Sequence, residues 1–398
     1  MPDQKLLSKK ILQKVPKICH IITGLERGGA ERFLFNLLTA GNLSNKTDNM
    51  VISLMSEGYY GPLLKKKNIP LNCLNMNRGR ANIKSAIKLI HIIKSQNPDI
   101  IQGWMYHGNL AALFGTFITK KKTKLSWNIR LSLEIFSQMK FKTRLAIRLG
   151  AIFSKKANSI IYNSSRSLNQ HRNLGFSSSN DYFIPNGFDI KKWKPNKDLK
   201  FKMRNSLNIS NKTRVIGYVG RGEKQKDLPK LFRVFDIVKK KHPNIILIAV
   251  GKNLEKYALN SDRIIFLGER SNVNEIMTSF DMLCLTSKAE GFPNVIGEAM
   301  LSGLPCISTD VGDAKNIIGK TGWIVPNNST TLFAKYLDNI LKMPENELKK
   351  YGKSARELII KNYDINKIRD QYISHYNSIL NGLDKNMIDK NSKTPKKL

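Results

Sequence analysis

The sequence predicts two successive open parallel α/β sheets that face each other across a cleft. Three observations carry this. The 398 residues exceed what one ordinary core accommodates. An apolar strand-like run at 15–22 leads into a glycine loop at 23–30, and residues 31–38 then place Phe33, Phe35, Leu37 and Leu38 at helical spacing. The same order begins again at 215, with a strand at 215–219, a loop at 220–227 and a helix at 228–240.

Between these two starts the alternation continues. Strands are expected at 50–55, 100–104, 125–129, 159–162 and 182–184, and helices at 83–95, 110–117, 142–153 and 165–174. Pro98 stops the helix at 83–95, and Ser164 is placed to cap the helix at 165–174. The turn Pro185-Asn-Gly-Phe-Asp189 and the lysine-rich stretch at 191–200 mark the crossing between domains. The second half continues with strands at 245–250, 264–267, 282–285 and 305–308 and helices at 273–279, 295–301 and 331–341. This gives a first domain at 1–187, a second at 188–362, and a polar, disordered tail at 381–398.

Composition narrows the class. Hydrophobic content of 41% suits a globular protein, and no apolar run approaches the ~18 residues of a membrane span. The lysine-studded start at 1–15 lacks the apolar block and cleavage site of a secretory signal. Cys19, Cys73, Cys284 and Cys306 are scattered and read as reduced core thiols of a cytoplasmic protein. The net charge of +37 is uneven: Lys and Arg outnumber Asp and Glu by 46 to 13 in residues 1–250 but by 21 to 17 in 251–398. An anionic partner for the first part explains the asymmetry, whereas a general lysine bias explains only the total. Residues 136–156 interleave Phe136, Met139, Phe141, Leu145, Leu149, Ile152 and Phe153 with six basic residues. Such a stretch either lies on an anionic bilayer or packs on the core with a solvated basic face.

The chemistry-bearing motifs fall in the loops after strands. Gly28 and Gly29 let backbone approach a ligand at a helix start, or simply make a βα turn. Arg221 and Lys226, five apart in the equivalent loop of the second domain, suit a diphosphate; the bland alternative is a solvated basic loop. Glu290-Gly-Phe-Pro-Asn-Val-Ile-Gly-Glu298 follows a strand, and Gly291 and Pro293 rule out a continuous helix from Glu290. A tight turn followed at once by a helix puts both acids and free backbone amides at one cleft. His107, after the strand at 100–104, falls on a cleft-facing loop, and Arg130 and Asn163 lie in later loops of the same edge.

The spacing of Glu290 and Glu298, with Ser287 before and Ala299-Met300 after, resembles the E-x7-E signature of retaining glycosyltransferases of family 4, which have the GT-B fold. Gly220-Arg-Gly-Glu-Lys-Gln-Lys-Asp227, Asn186-Gly-Phe-Asp189, Leu267-Gly-Glu-Arg270, Thr309-Asp-Val-Gly312 and Thr321-Gly-Trp-Ile-Val-Pro326 agree with the family in order, covering roughly residues 17–375. Glu223 and Lys224 depart from it, standing where relatives often carry apolar residues or proline. The resemblance implies two Rossmann-like domains completed by a helix returning to the first domain near 363–380. It implies transfer of a hexosyl group from a UDP- or GDP-sugar to a saccharide or polyprenyl-linked saccharide, without cofactor or metal. Glu290, Arg221, Lys226 and His107 are the implied catalytic set. Gly28, Gly29, Gly268, Phe292, Asn294, Val295 and Glu298 would hold the donor, Glu298 at its ribose. The expected setting is the cytoplasmic face of the inner membrane, peripherally bound to an anionic surface, in surface polysaccharide assembly. A sugar-nucleotide epimerase or a nucleic-acid-binding protein is the alternative; no nucleic-acid-binding pattern accompanies the charge.

Overall fold

The computed structural model describes residues 15–382, apart from 42, 44, 45, 78–81, 120 and 259–261. The lysine-studded start therefore lies outside the described residues, and so does the tail from 383 onward; the residues just before it, to Asn381, are helical.

The first domain runs β1 (Lys17–Ile22), α1 (Gly29–Leu38), β2 (Asp48–Ser53), α2 (Tyr60–Lys66), β3 (Leu71–Cys73), α3 (Ile83–Gln96), β4 (Ile100–Trp104), α4 (Met105–Thr116), β5 (Lys124–Ile129), α5 (Phe141–Phe153), β6 (Ser159–Tyr162), α6 (Ser165–Asn173) and β7 (Asp181–Phe183). Its seven strands pair in parallel in the order β3-β2-β1-β4-β5-β6-β7. The second domain follows with α7 (Lys197–Ser206), β8 (Arg214–Val219), α8 (Leu228–Lys239), β9 (Ile245–Val250), β10 (Ile264–Gly268), α9 (Val273–Ile276), β11 (Met282–Leu285), α10 (Asn294–Leu301), β12 (Cys306–Thr309), α11 (Ala314–Ile318), β13 (Trp323–Val325), α12 (Thr330–Lys342) and α13 (Glu345–Tyr363). Its six strands are ordered β10-β9-β8-β11-β12-β13, again parallel. In both sheets the strand order reverses beside the first strand, and the crevice at the carboxyl ends of the strands is where ligands bind in such folds.

The last helix, α14 (Ile365–Asn381), returns to the first domain. Ile365, Ile368, Tyr372, Tyr376 and Ile379 recur at helical spacing and pack with Ile18, Leu34 and Trp104 in one cluster on the first sheet. Burying each such side chain contributes roughly 1.5–3 kcal/mol, so α14 is part of the first core. The two chain crossings lie side by side. Phe188 donates its N–H to the Tyr363 carbonyl at 2.8 Å, and Ile365 donates to the Phe188 carbonyl at 2.9 Å. Gly187 is required there, because a Cβ would stand 2.7 Å from the Ile365 Cα.

Several elements escape the sequence pattern. Among these, α2, β3, α11 and β13 are at most seven residues long, too short for a periodicity to register. The stretch at 191–200, read as a crossing, ends inside α7, whose Arg204 is buried and salt-bridged to Asp281 at 2.6 Å. The polar stretch before the return is the 19-residue α13. The helix expected from 110 begins at Met105, whose φ of +61° makes the strand-to-helix turn without a loop. Ser164 caps α6 as expected, accepting from the Ser167 amide at 3.2 Å. The four cysteines are free thiols, three of them fully buried.

Candidate active site

A cleft of about 640 Å³ opens between the domains at the carboxyl ends of both sheets. Its first-domain wall contains Gly28, Gly29, Glu31, Arg130 and Asn163; its second-domain wall contains Arg221, Lys226, Glu290, Phe292, Asn294 and Val295. Sequence positions separated by more than 250 residues thus meet in one place.

On the second wall the loop after β11 carries Glu290. Its carboxylate accepts from Lys226 Nζ at 2.6 Å and from Ser287 Oγ at 2.7 Å. Lys226 and Glu290 keep only 16% and 11% of their side-chain surface, so this charge pair is well shielded inside the cleft wall. Arg221 is 59% exposed and reaches Glu223 at 3.2 Å, a surface pair of the kind that contributes little. Helix α10 starts at Asn294, with Pro293 before it, so the amides of Asn294 and Val295 have no intrahelical partner, and both residues line the cleft. Gly291 lets this loop press against the first domain, since a Cβ would lie 3.0 Å from the Arg130 carbonyl oxygen.

On the first wall, Gly28 precedes α1 in extended conformation, and a Cβ there would collide with the Glu31 carboxylate. Burial raises the Glu31 pKa, and the nearby Arg221 guanidinium opposes that rise. Arg130 is buried, with its guanidinium 3.8 Å from the Phe33 ring centre and hydrogen-bonded to Asn128 at 2.9 Å and Tyr372 at 3.0 Å. Burial lowers its pKa.

Three of the expected site residues lie outside the cleft lining. Glu298 lies on the second turn of α10, lines a smaller cavity of about 170 Å³ that adjoins the first at Asn294, and is ion-paired with Arg32 of α1. The reason is geometric. Glu290 sits in the loop while Glu298 is four residues into the helix, which turns it toward α1. Burial raises the Glu298 pKa, and Arg32 counteracts this. His107 is on the first turn of α4, not in a loop, and is exposed outside the cleft lining. Gly268 ends β10 with φ +65° and also lies outside that lining; its neighbour Glu269 meets Arg27 at 3.1 Å across the domain boundary.

One residue that the sequence reading passed over holds the walls together. Glu134 accepts from Arg166 at 3.1 Å on its own domain, and from the Glu290 amide at 3.3 Å and the Gly312 amide at 3.2 Å on the other. A signal was present: Glu134 is the only acid between Asp99 and Asp181. Asp313 crosses in the opposite direction, accepting from Ser164 Oγ at 2.8 Å and the Ser165 amide at 3.1 Å at the start of α6.

Residues 200–358 match the family described as glycosyl transferases group 1. The chain is 25% identical to the capsular polysaccharide biosynthesis glycosyltransferase CapM of Staphylococcus aureus, over 75% of this chain and 82% of that protein. It is 31% identical to the UDP-Gal:alpha-D-GlcNAc-diphosphoundecaprenol alpha-1,3-galactosyltransferase of Escherichia coli, over 48% of this chain and 53% of that one. Among solved structures, Anabaena HepE in complex with UDP-glucose superposes with a TM-score of 0.78 at 21% identity, covering 91% of this chain and 99% of that one. Residues 200–358 are thus similar to the glycosyl transferases group 1 family, and the two parallel-sheet domains have the two-domain GT-B fold of the solved structures they superpose on.

Proposed function

We propose that the protein is a retaining glycosyltransferase that moves a hexosyl group from a nucleoside-diphosphate sugar to a saccharide or lipid-linked saccharide during surface polysaccharide assembly. The observation that carries this reading is the shielded Lys226–Glu290 pair beside the free amides of α10, in a cleft closed by the glycine loop of the other domain. The departing diphosphate gains negative charge as the sugar bond breaks. Lys226 and the amides of Asn294 and Val295 are preorganised to accept that charge, and the exposed Arg221 guanidinium stands beside them. Glu290 then orients sugar hydroxyls, its own position fixed by Ser287 and Lys226. The reading needs no metal, since the electrostatic work falls to side chains and amides. Capsular and diphosphoundecaprenol-linked relatives support the acceptor class.

The same reading places the first domain on an anionic membrane surface. Helix α5 turns only Ala146, Ile147 and Gly150 fully inward and exposes Phe141, Leu145, Ile152 and Phe153 among its basic residues. No helix among the described residues is long and apolar enough to cross a membrane.

The test is binding of a panel of UDP- and GDP-sugars to the wild type and to Lys226→Ala, followed by turnover with a polyprenyl-linked acceptor. One donor should bind and be turned over. Lys226→Ala should retain its fold and lose about 10²–10³-fold in kcat. If no sugar nucleotide binds the wild type, or if Lys226→Ala turns over normally, the proposal fails.

A further inference from the structure

The asparagine of the crossing turn bonds to three different parts of the cleft. Asn186 Oδ1 accepts from Arg130 Nη2 and from Asn163 Nδ2, the latter at 3.2 Å, both from the first domain. Asn186 Nδ2 donates to Asn294 Oδ1 at 2.5 Å, across the domain boundary. Asn294 Nδ2 donates to no protein group among the described residues. It lies 3.7 Å from where a Cβ on Gly29 would stand, on the cleft side of α10.

These bonds have a fixed direction. Arginine only donates, and a carboxamide has one accepting and one donating end. Two donors on Asn186 Oδ1 force its nitrogen toward Asn294, and that nitrogen in turn forces the Asn294 oxygen toward Asn186. Arg130 is itself held by Asn128, by Tyr372 of the returning helix, and by the Phe33 ring.

We propose that Arg130 and Asn186 are positioning residues that set the direction of the Asn294 carboxamide, so that its Nδ2–H is presented to the cleft as a donor for an oxygen of the sugar nucleotide. This rests on the reading of the cleft as a nucleotide-sugar site. It gives the crossing turn a role in donor binding as well as in topology, and it makes the returning helix a support for a contact on the opposite domain.

The test compares Asn186→Asp with Asn186→Ala. Aspartate keeps the shape and still accepts from Arg130, but its second oxygen accepts too. Asn294 then turns to donate to it, and an oxygen faces the ligand. Alanine leaves the Asn294 amide free to turn. Donor affinity should therefore fall most in Asn186→Asp, by about tenfold or more, and less in Asn186→Ala. The change should appear in the KM for donor more than in kcat. Thermal stability should follow the opposite order, because alanine removes the packing and the bonds. A purely structural role predicts that alanine is worse in both measurements, and that result overturns the proposal. A ligand-free readout separates this from failure of the enzymatic reading. With asparagine labelled with ¹⁵N, the Asn294 side-chain amide protons should exchange rapidly with solvent in the wild type and slowly in Asn186→Asp. Unchanged exchange overturns the relay whether or not any sugar nucleotide binds.

Discussion

The two walls of the cleft are built in different ways. The second wall draws Arg221, Lys226, Glu290 and the α10 amides from residues 221–295, each in a loop directly after a strand of its own sheet. The first wall depends on groups from distant parts of the chain: Arg130 is held by Tyr372 from the far end, and Phe33 and Trp104 pack in the same cluster as Tyr372. A wall made of successive loops needs only its own sheet. A wall whose arginine is held by a returning helix needs the whole chain folded before it exists.

The largest test of this difference removes one anchor of the returning helix. Tyr376 is buried and donates to Gln102 in the middle of the first sheet. Tyr376→Ala should destabilise the first domain by about 3–5 kcal/mol and weaken the Arg130 side of the cleft, leaving the second domain intact. Urea unfolding followed at Trp104 and Trp127 against Trp193 and Trp323 would show it; equal loss at both pairs would contradict the separate construction of the walls.

Acid should discriminate nearly as strongly. His20, His171 and His375 all lie in the first-domain core, where burial pushes the first two down to about 4 and His375 down to about 3. Below about pH 6.5 the unfolded chain takes up protons that the folded domain refuses, so stability is complete above that pH and falls as pH drops toward 4. The loss is on the order of 3 kcal/mol for His20 alone. The first domain should thus unfold at a lower urea concentration at pH 4.5 than at pH 7, while the second domain, which holds no such buried histidine among the described residues, shifts less. Matching shifts would remove the histidines as the cause.

The smallest effect concerns the outer surface. Phe141 and Ile152 are 71% and 67% exposed on a face crowded with lysine and arginine. Replacing both by alanine should reduce sedimentation with anionic vesicles roughly tenfold without changing sugar-nucleotide binding. If the doubly substituted protein sediments like the wild type, α5 is not the membrane face.

Much of the second wall could be read in advance. Glu290, Arg221 and Lys226 stand in loops fixed by strong apolar strands on either side, so their placement at the sheet edge followed from local pattern. Glu298 could not be placed this way, because its direction depends on where α10 begins and on which helix of the other domain it faces. His107 was misplaced because φ of +61° at Met105 lets α4 start with no loop, a backbone choice that no periodicity reveals. Glu134 was visible only as an isolated acid in a basic stretch.

By itself the sequence determined the two parallel sheets, the restart near residue 214 and the loops that carry charge, because apolar runs and glycine turns act locally. Only the tertiary structure decided which groups pair across the cleft: Arg32 with Glu298, Glu134 with the Glu290 amide, Asn186 with Asn294. Those partners lie between 108 and 266 residues apart, and a hydrogen bond acts only over a few ångströms, so their meeting depends on how the two cores and the returning helix pack.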